Sequence, residues 1–127
     1  MKRIAYILLL FVLISGCTQS QNITSLDAAQ FEKHMKEKAD KIILDVRTAG
    51  EYADGHIPGA VMIDYYKNDF RQQINKLDKS KPVFVYCASG VRSSSAAKIL
   101  VQSGFTEVYN LQGGINAWHR SGKPLER

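Results

Sequence analysis

Val83-Phe84-Val85-Tyr86-Cys87-Ala88-Ser89-Gly90-Val91-Arg92-Ser93-Ser94-Ser95-Ala96-Ala97 is the stretch on which the reading of this chain turns. Its first four residues are apolar, β-branched or aromatic, the composition of a buried strand, and the strand stops at a cysteine. The Ser and Ala that follow have the content of a helix start, so Cys87 is expected in a strand-to-helix turn. Such a turn gathers backbone N–H groups and the positive end of a helix dipole in one small space, which suits an anion and lowers the pKa of a thiol held there. Gly90 allows the loop to curl, and Arg92 adds a positive charge, with Glu51 as the candidate carboxylate partner. The stretch reads as a nucleophile, Cys87, in an anion-binding loop formed by Ala88, Ser89, Gly90, Val91 and Arg92. A buried structural cysteine at a strand end is the plainer alternative.

Upstream, Lys41-Ile42-Ile43-Leu44-Asp45-Val46 is a near-continuous apolar run, expected as a central parallel strand covered on both faces. Asp45 and Arg47 then fall at its carboxyl end, the side on which sites collect in open α/β sheets and the side of Cys87. Thr48 and Glu51 have capping-box spacing and start a short helix through Tyr52. Gly55-His56-Ile57-Pro58-Gly59-Ala60 makes a turn before a strand Val61-Met62-Ile63. His56 is open to two readings: a base for Cys87, or a histidine that fixes its own loop by hydrogen bonds.

Before these elements, Ile23-Thr24 is expected as a short edge strand, and Ser25 as the N-cap of a helix from about Leu26 to Lys38. His34 lies in this helix beside Lys33 and Lys36 and takes no role. Between Asp64 and Ser80 the chain is polar and helix-like, with Phe70, Ile74 and Leu77 on one face. The helix after the cysteine loop carries Ala96, Ala97, Leu100 and Val101 and ends at Gly104. Phe105 to Leu111 reads as a last strand, and Gly113-Gly114 opens a final helix in which Trp118 is a core residue. Strands alternating with helices at these intervals predict an α/β domain with a parallel sheet covered on both faces.

The chain has 127 residues, enough for one core. Its formal charge is +5, of which Lys2 and Arg3 supply two, leaving +3 for the rest. No basic run interleaves with aromatics, so a nucleic-acid partner is not expected. The two cysteines, Cys17 and Cys87, sit in unlike contexts, which argues against a disulfide framework. At the N-terminus, Met1-Lys2-Arg3 is a basic start and Ile4 to Ile14 an apolar stretch of signal-peptide length, too short to span a bilayer. The segment Ile14-Ser15-Gly16-Cys17 resembles the bacterial lipoprotein signal. That resemblance implies a signal peptide over residues 1–16, a lipidated Cys17 opening a short linker over 17–22, and a domain over 23–127. A plain secretory signal and an uncleaved anchor are the alternatives. The implied location is the cell envelope, with the protein anchored to a membrane, the periplasmic side of the outer membrane ahead of the inner membrane; in lipoproteins of the enterobacterial kind a residue other than aspartate after the cysteine, here Thr18, goes with outer-membrane rather than inner-membrane sorting.

From about Ile23 to Leu125 the chain resembles a single-domain rhodanese, of the sulfurtransferase family. The resemblance is carried by Leu44-Asp45-Val46-Arg47 with Glu51-Tyr52 and Gly55 to Ala60, by Tyr86 to Ser93, and by Leu111-Gln112-Gly113-Gly114-Ile115 with Trp118. It implies a three-layer α/β/α rhodanese-like fold around a five-stranded, mostly parallel sheet, with Cys87 carrying a sulfane sulfur as a persulfide. Asp45, Arg47, Glu51 and His56 would support the fold and the loop. A small-molecule donor such as thiosulfate and an acceptor, cyanide or a thiol, are the implied partners, with a protein persulfide acceptor as a further one. Neither a metal nor an organic cofactor is implied.

Two other functions fit part of the pattern. A phosphatase or arsenate reductase also uses Cys, a curled loop and Arg at a helix start, but places the arginine six positions after the cysteine, whereas Arg92 is five after Cys87. The shorter loop makes a smaller cradle, better matched to a sulfur atom than to tetrahedral phosphate. A persulfide carrier or sensor with little turnover would share every residue of the enzyme. The loop side chains Ala88, Ser89 and Val91 are uncharged, leaving Arg92 as its one formal charge and the donor open.

Overall fold

The computed structural model describes residues 23–127, and the signal, lipidation and linker readings at residues 1–22 lie outside it. Five strands, β1 (Ile23–Leu26), β2 (Ile42–Asp45), β3 (Val61–Met62), β4 (Val83–Tyr86) and β5 (Val108–Leu111), alternate with five helices. The helices are α1 (Ala28–Glu37), α2 (Ala49–Ala53), α3 (Phe70–Ile74), α4 (Val91–Gln102) and α5 (Gly114–Arg120). The strands pair in the order β1-β5-β4-β2-β3, every neighbouring pair parallel. This is the α/β domain with a parallel, doubly covered sheet that the alternating pattern predicts, with the five strands that the resemblance implies.

β4 lies in the middle and is buried along its whole length. Because strand side chains alternate in direction, its residues divide between two cores. Val83, Val85 and Cys87 join Leu44, Phe70, Ile74, Ala96, Ala97 and Leu100 on one face, beneath α3 and α4. Phe84 and Tyr86 join Phe31, Met35, Ile57, Ile115 and Trp118 on the other, beneath α1 and α5. Phe31 meets Phe84 and Trp118 edge-on, with centroids 5.4 and 6.3 Å apart, the arrangement that ring quadrupoles favour. The chain leaves β4 toward the α4 face and leaves β2 toward the face on which Tyr52 of α2 packs. A crevice therefore opens between the carboxyl ends of these two adjacent strands, at a topological switch point.

Three local expectations are corrected. Ser25 is not an N-cap: it lies in β1, opposite Asn110 of β5, and the edge strand runs to Leu26. Asp27 caps α1 instead, in a capping box with Gln30, so the ladder to β5 and the reciprocal cap together outcompete the earlier start. The polar segment from Asp64 to Ser80 forms only the short α3, although Phe70 and Ile74 are buried as their spacing implied. The last strand begins at Val108, with Phe105 buried in the preceding turn.

Candidate active site

Cys87 is the first residue beyond β4 and is 1% exposed. The loop turns back on its sulfur. The Gly90 N–H donates to Sγ at 3.1 Å and the Ser93 N–H at 3.4 Å, with the Ser93 hydroxyl also at 3.4 Å. A protonated Sγ donates to that hydroxyl; an ionised one accepts from it. Gly90 reaches this geometry at φ +104°, a conformation side chains rarely adopt, and hands the chain to α4, twelve residues long, whose N-terminus lies at the sulfur. Burial pushes the Cys87 thiol up, but the bonds from Ser93, Gly90 and Ser89 outweigh it, and the net direction is down from the ordinary value.

Two supports hold the loop. From the first turn of α4, the Ser94 hydroxyl donates to the Gly90 carbonyl at 2.7 Å and is held in turn by the Asn110 side-chain amide at 3.1 Å. From the α5 side, the N–H groups of Ile115 and Asn116 donate to the carbonyls of Cys87 and Ala88 at 2.9 and 3.1 Å. With its carbonyls turned toward α5, the loop is free to turn N–H groups toward the sulfur.

Arg92 does not stand as an isolated charge. Its two terminal nitrogens donate to the two oxygens of Glu51 at 2.8 and 2.9 Å, a bidentate pair joining α4 to α2. Glu51 is also bound by the Thr48 hydroxyl in the capping box of α2. The Arg92 bonds hold the Glu51 carboxyl down at about 2, and the pair raises Arg92 further above its already high value. Because the folded-state value lies below the ordinary 4.5, this pair stabilises the fold fully above pH 4.5 and loses its contribution as pH falls toward about 2. Glu51→Gln is therefore expected to flatten the fall in stability across that window, read by denaturant titration at stepped pH.

The remaining residues singled out in the sequence build the wall of the crevice. Asp45 is fully buried and accepts from the Arg47 N–H at 2.9 Å and from its side chain at 3.0 and 2.6 Å. Arg47 donates onward to the Gly55 carbonyl at 2.7 Å. The Tyr86 hydroxyl accepts from the Ile57 N–H at 3.0 Å, and its burial raises its pKa. His56 stacks on Tyr52 at 3.8 Å, with Nδ1 3.0 Å from the Tyr52 carbonyl and Nε2 3.7 Å from the Glu126 carboxylate. Both ring nitrogens thus face groups other than Cys87. The structure brings together Cys87, Ala88 to Arg92 and Glu51, and places Asp45, Arg47 and His56 around the adjoining turn. Among the described residues no group of three His, Cys, Asp or Glu side chains could hold a metal ion.

A cysteine just beyond the central strand and five positions before an arginine, on this sheet order, has a counterpart in a known family: the profile of the rhodanese-like domain fits residues 27–121. The chain belongs to the rhodanese-like family. It is 40% identical over 98 residues to the thiosulfate sulfurtransferase GlpE of Coxiella burnetii, covering 77% of this chain and 86% of that one. A sulfurtransferase of Allochromatium vinosum is 34% identical over 103 residues, covering 81% and 94%. A crystal structure of a rhodanese-related protein from Thermoplasma volcanium aligns with TM-score 0.71 at 31% identity, covering 81% of this chain and 97% of that one. These relatives support a function of the sulfurtransferase type.

Sequence reasoning missed two contributors to this rhodanese-like site. Ser93 carries two of the groups around the sulfur, and the only sequence signal was the serine run in the first turn of α4. Tyr66, whose ring centroid lies 5.4 Å from the Arg92 guanidinium carbon, gave none. Ser93→Ala removes one bond to the thiolate, so the midpoint of Cys87 alkylation against pH should move upward while the Gly90 and Ser93 N–H bonds keep it below that of an isolated buried thiol. An unchanged midpoint would mean that the hydroxyl does not bind the thiolate.

Proposed function

We propose that the protein moves a sulfane sulfur from a donor to a nucleophilic acceptor through a persulfide on Cys87. The observation that carries this reading is the convergence of backbone N–H groups and the Ser93 hydroxyl on one buried sulfur whose pKa they lower. With thiosulfate as the inorganic example, the Cys87 thiolate attacks the outer sulfur, the S–S bond breaks, and sulfite leaves with the bonding pair. The loop N–H groups stabilise the anionic persulfide that remains. Cyanide or a thiolate then attacks the outer sulfur and regenerates the Cys87 thiolate.

The test is a paired assay on the purified protein. Thiosulfate with cyanide should yield sulfite and thiocyanate in a Cys87-dependent manner, while para-nitrophenyl phosphate should give nothing above background. Cys87-dependent hydrolysis of the phosphate ester without any sulfur product would overturn the proposal in favour of a phosphatase. Loading in a single turnover without steady-state turnover would favour the carrier.

The lipoprotein signal at Ile14 to Cys17 supports a second part of the proposal: the domain acts at the cell envelope, held to a membrane by an acylated Cys17. Residues 18–22 reach at most about 17 Å when extended, so the site would work close to that surface. A tagged fatty acid should label the protein in cells, and Cys17→Ser should abolish the label; an unlabelled, soluble wild type would contradict the anchor.

A further inference from the structure

We infer that Asn110 and Ser94 are positioning residues for Cys87: by filling the Gly90 carbonyl they release the Ser93 hydroxyl, which then donates to the ionised sulfur. This rests on the sulfurtransferase reading above and names what keeps its nucleophile in the reactive form. The Gly90 carbonyl oxygen has two lone pairs and three donors: the Ser94 N–H at 3.1 Å, the Ser94 hydroxyl at 2.7 Å and the Ser93 hydroxyl at 3.2 Å. The Ser93 bond is the longest, and its hydroxyl is the surplus donor. Ser93 is fully buried, so water does not compete for it, and its oxygen lies 3.4 Å from Sγ. While Cys87 is protonated, the S–H donates to the Ser93 oxygen and the Ser93 hydrogen rests on Gly90. On ionisation the thiolate becomes the better acceptor, and the hydrogen turns to it. The Gly90 carbonyl then keeps both bonds from Ser94. The turn adds a charge-assisted bond without orphaning a carbonyl.

Asn110 fixes the direction of the Ser94 hydroxyl. Its side chain leaves β5 on the face shared with Val108 and α4, and its amide nitrogen donates to the Ser94 oxygen at 3.1 Å. With a donor on that side, the Ser94 hydrogen is directed at Gly90. Asn110 is 5% exposed, and its side-chain oxygen is buried without a hydrogen-bond partner among the described residues. An apolar side chain at this strand position would avoid the cost of that unpaired oxygen, so packing does not account for an amide here. The bond to Ser94 does. Arg92, paired with Glu51 and lying against the ring of Tyr66, is the charged group coupled to the sulfur, and none of the substitutions below touches these three residues.

Alkylation by iodoacetamide against pH, read on the Cys87 peptide by mass spectrometry, tests this relay. Ser94→Ala should move the midpoint up by about 0.5–1 unit, part of one hydrogen bond to a charged group. On a Ser93→Ala background the same change should move it no further, because no hydroxyl remains to be released. Ser94→Thr keeps a hydroxyl able to reach the carbonyl four residues back and should restore the wild-type midpoint. Asn110→Leu should also move the midpoint up, while its denaturant midpoint stays level or rises with the unpaired oxygen gone. Ser94 is exposed and alanine is a good helix former, so Ser94→Ala is expected to stay folded, which thermal melts check. An unmoved midpoint in Ser94→Ala, or an equal shift with and without the Ser93 hydroxyl, would overturn the relay. An Asn110→Leu variant that lost stability and kept the wild-type midpoint would overturn the part given to Asn110. No sulfur donor enters this test, so the relay can fail while the sulfurtransferase reading stands, and the sulfur assays can fail with the relay intact.

Discussion

Gly114→Ala is expected to cost the domain on the order of 2–5 kcal/mol, combining overpacking with a left-handed backbone, and to raise the pH at which Cys87 reacts. Gly114 sits at φ +58°, and a Cβ built on it would lie 2.5 Å from the carbonyl carbon and oxygen of Ala88 and 2.5 Å from the carbonyl oxygen of Cys87. Those contacts are backbone, so no side chain can swing away to relieve them. Either α5 retreats and gives up the Ile115 and Asn116 bonds, or the cysteine loop shifts and its N–H groups move off the sulfur. Both routes join lost stability to lost thiolate stabilisation. Gly50→Ala is the control, since Gly50 lies in α2 with nothing within 4 Å of its would-be Cβ. A Gly114→Ala variant that matched wild type in denaturant midpoint and in alkylation pH would show that α5 does not brace the loop.

Asp45→Ala should destabilise the protein by about 3–5 kcal/mol, the loss typical when one member of a buried ion pair is removed. Asp45 is 0% and Arg47 5% exposed, so the guanidinium would be left charged in the interior with its onward bond to Gly55 as its main partner. Asp45→Asn should lose less, because one side-chain oxygen can still accept from the Arg47 N–H. Urea unfolding checks both, and a loss below about 1 kcal/mol for the alanine variant would place the pair among weakly coupled surface pairs.

How far the sequence was legible depended on whether the cause was local. The β4 run, the Thr48–Glu51 capping box and the apolar faces of α3 and α4 follow from neighbours a few positions apart, and they appear as expected. Ser25 and Asp27 are both good caps in isolation, and only pairing with Asn110 and its neighbours, far along the chain, gives Ser25 to the strand. The site divides in the same way. Cys87, Gly90 and Arg92 were readable because the turn is local. That Glu51 takes up both ends of Arg92 depends on a contact across a separation of 41 positions, and could be named only as a candidate. Tyr66 was silent, and Gly113-Gly114-Ile115 was legible as a helix opening and a motif but not as a brace for the loop, because those contacts are set by packing of the whole sheet.

The most direct measurement is the intact mass of the protein after exposure to a sulfane donor, benzyl hydropersulfide or thiosulfate in excess. Cys87 is the one cysteine among the described residues, and with Cys17 acylated as proposed the chain holds no second free thiol to resolve a persulfide formed there, which then waits for an outside acceptor. The account predicts one added sulfur atom, absent in Cys87→Ser and removed by cyanide or a small thiol. No adduct from either donor, on a protein whose Cys87 still alkylates at a pH below that of an ordinary thiol, would contradict it.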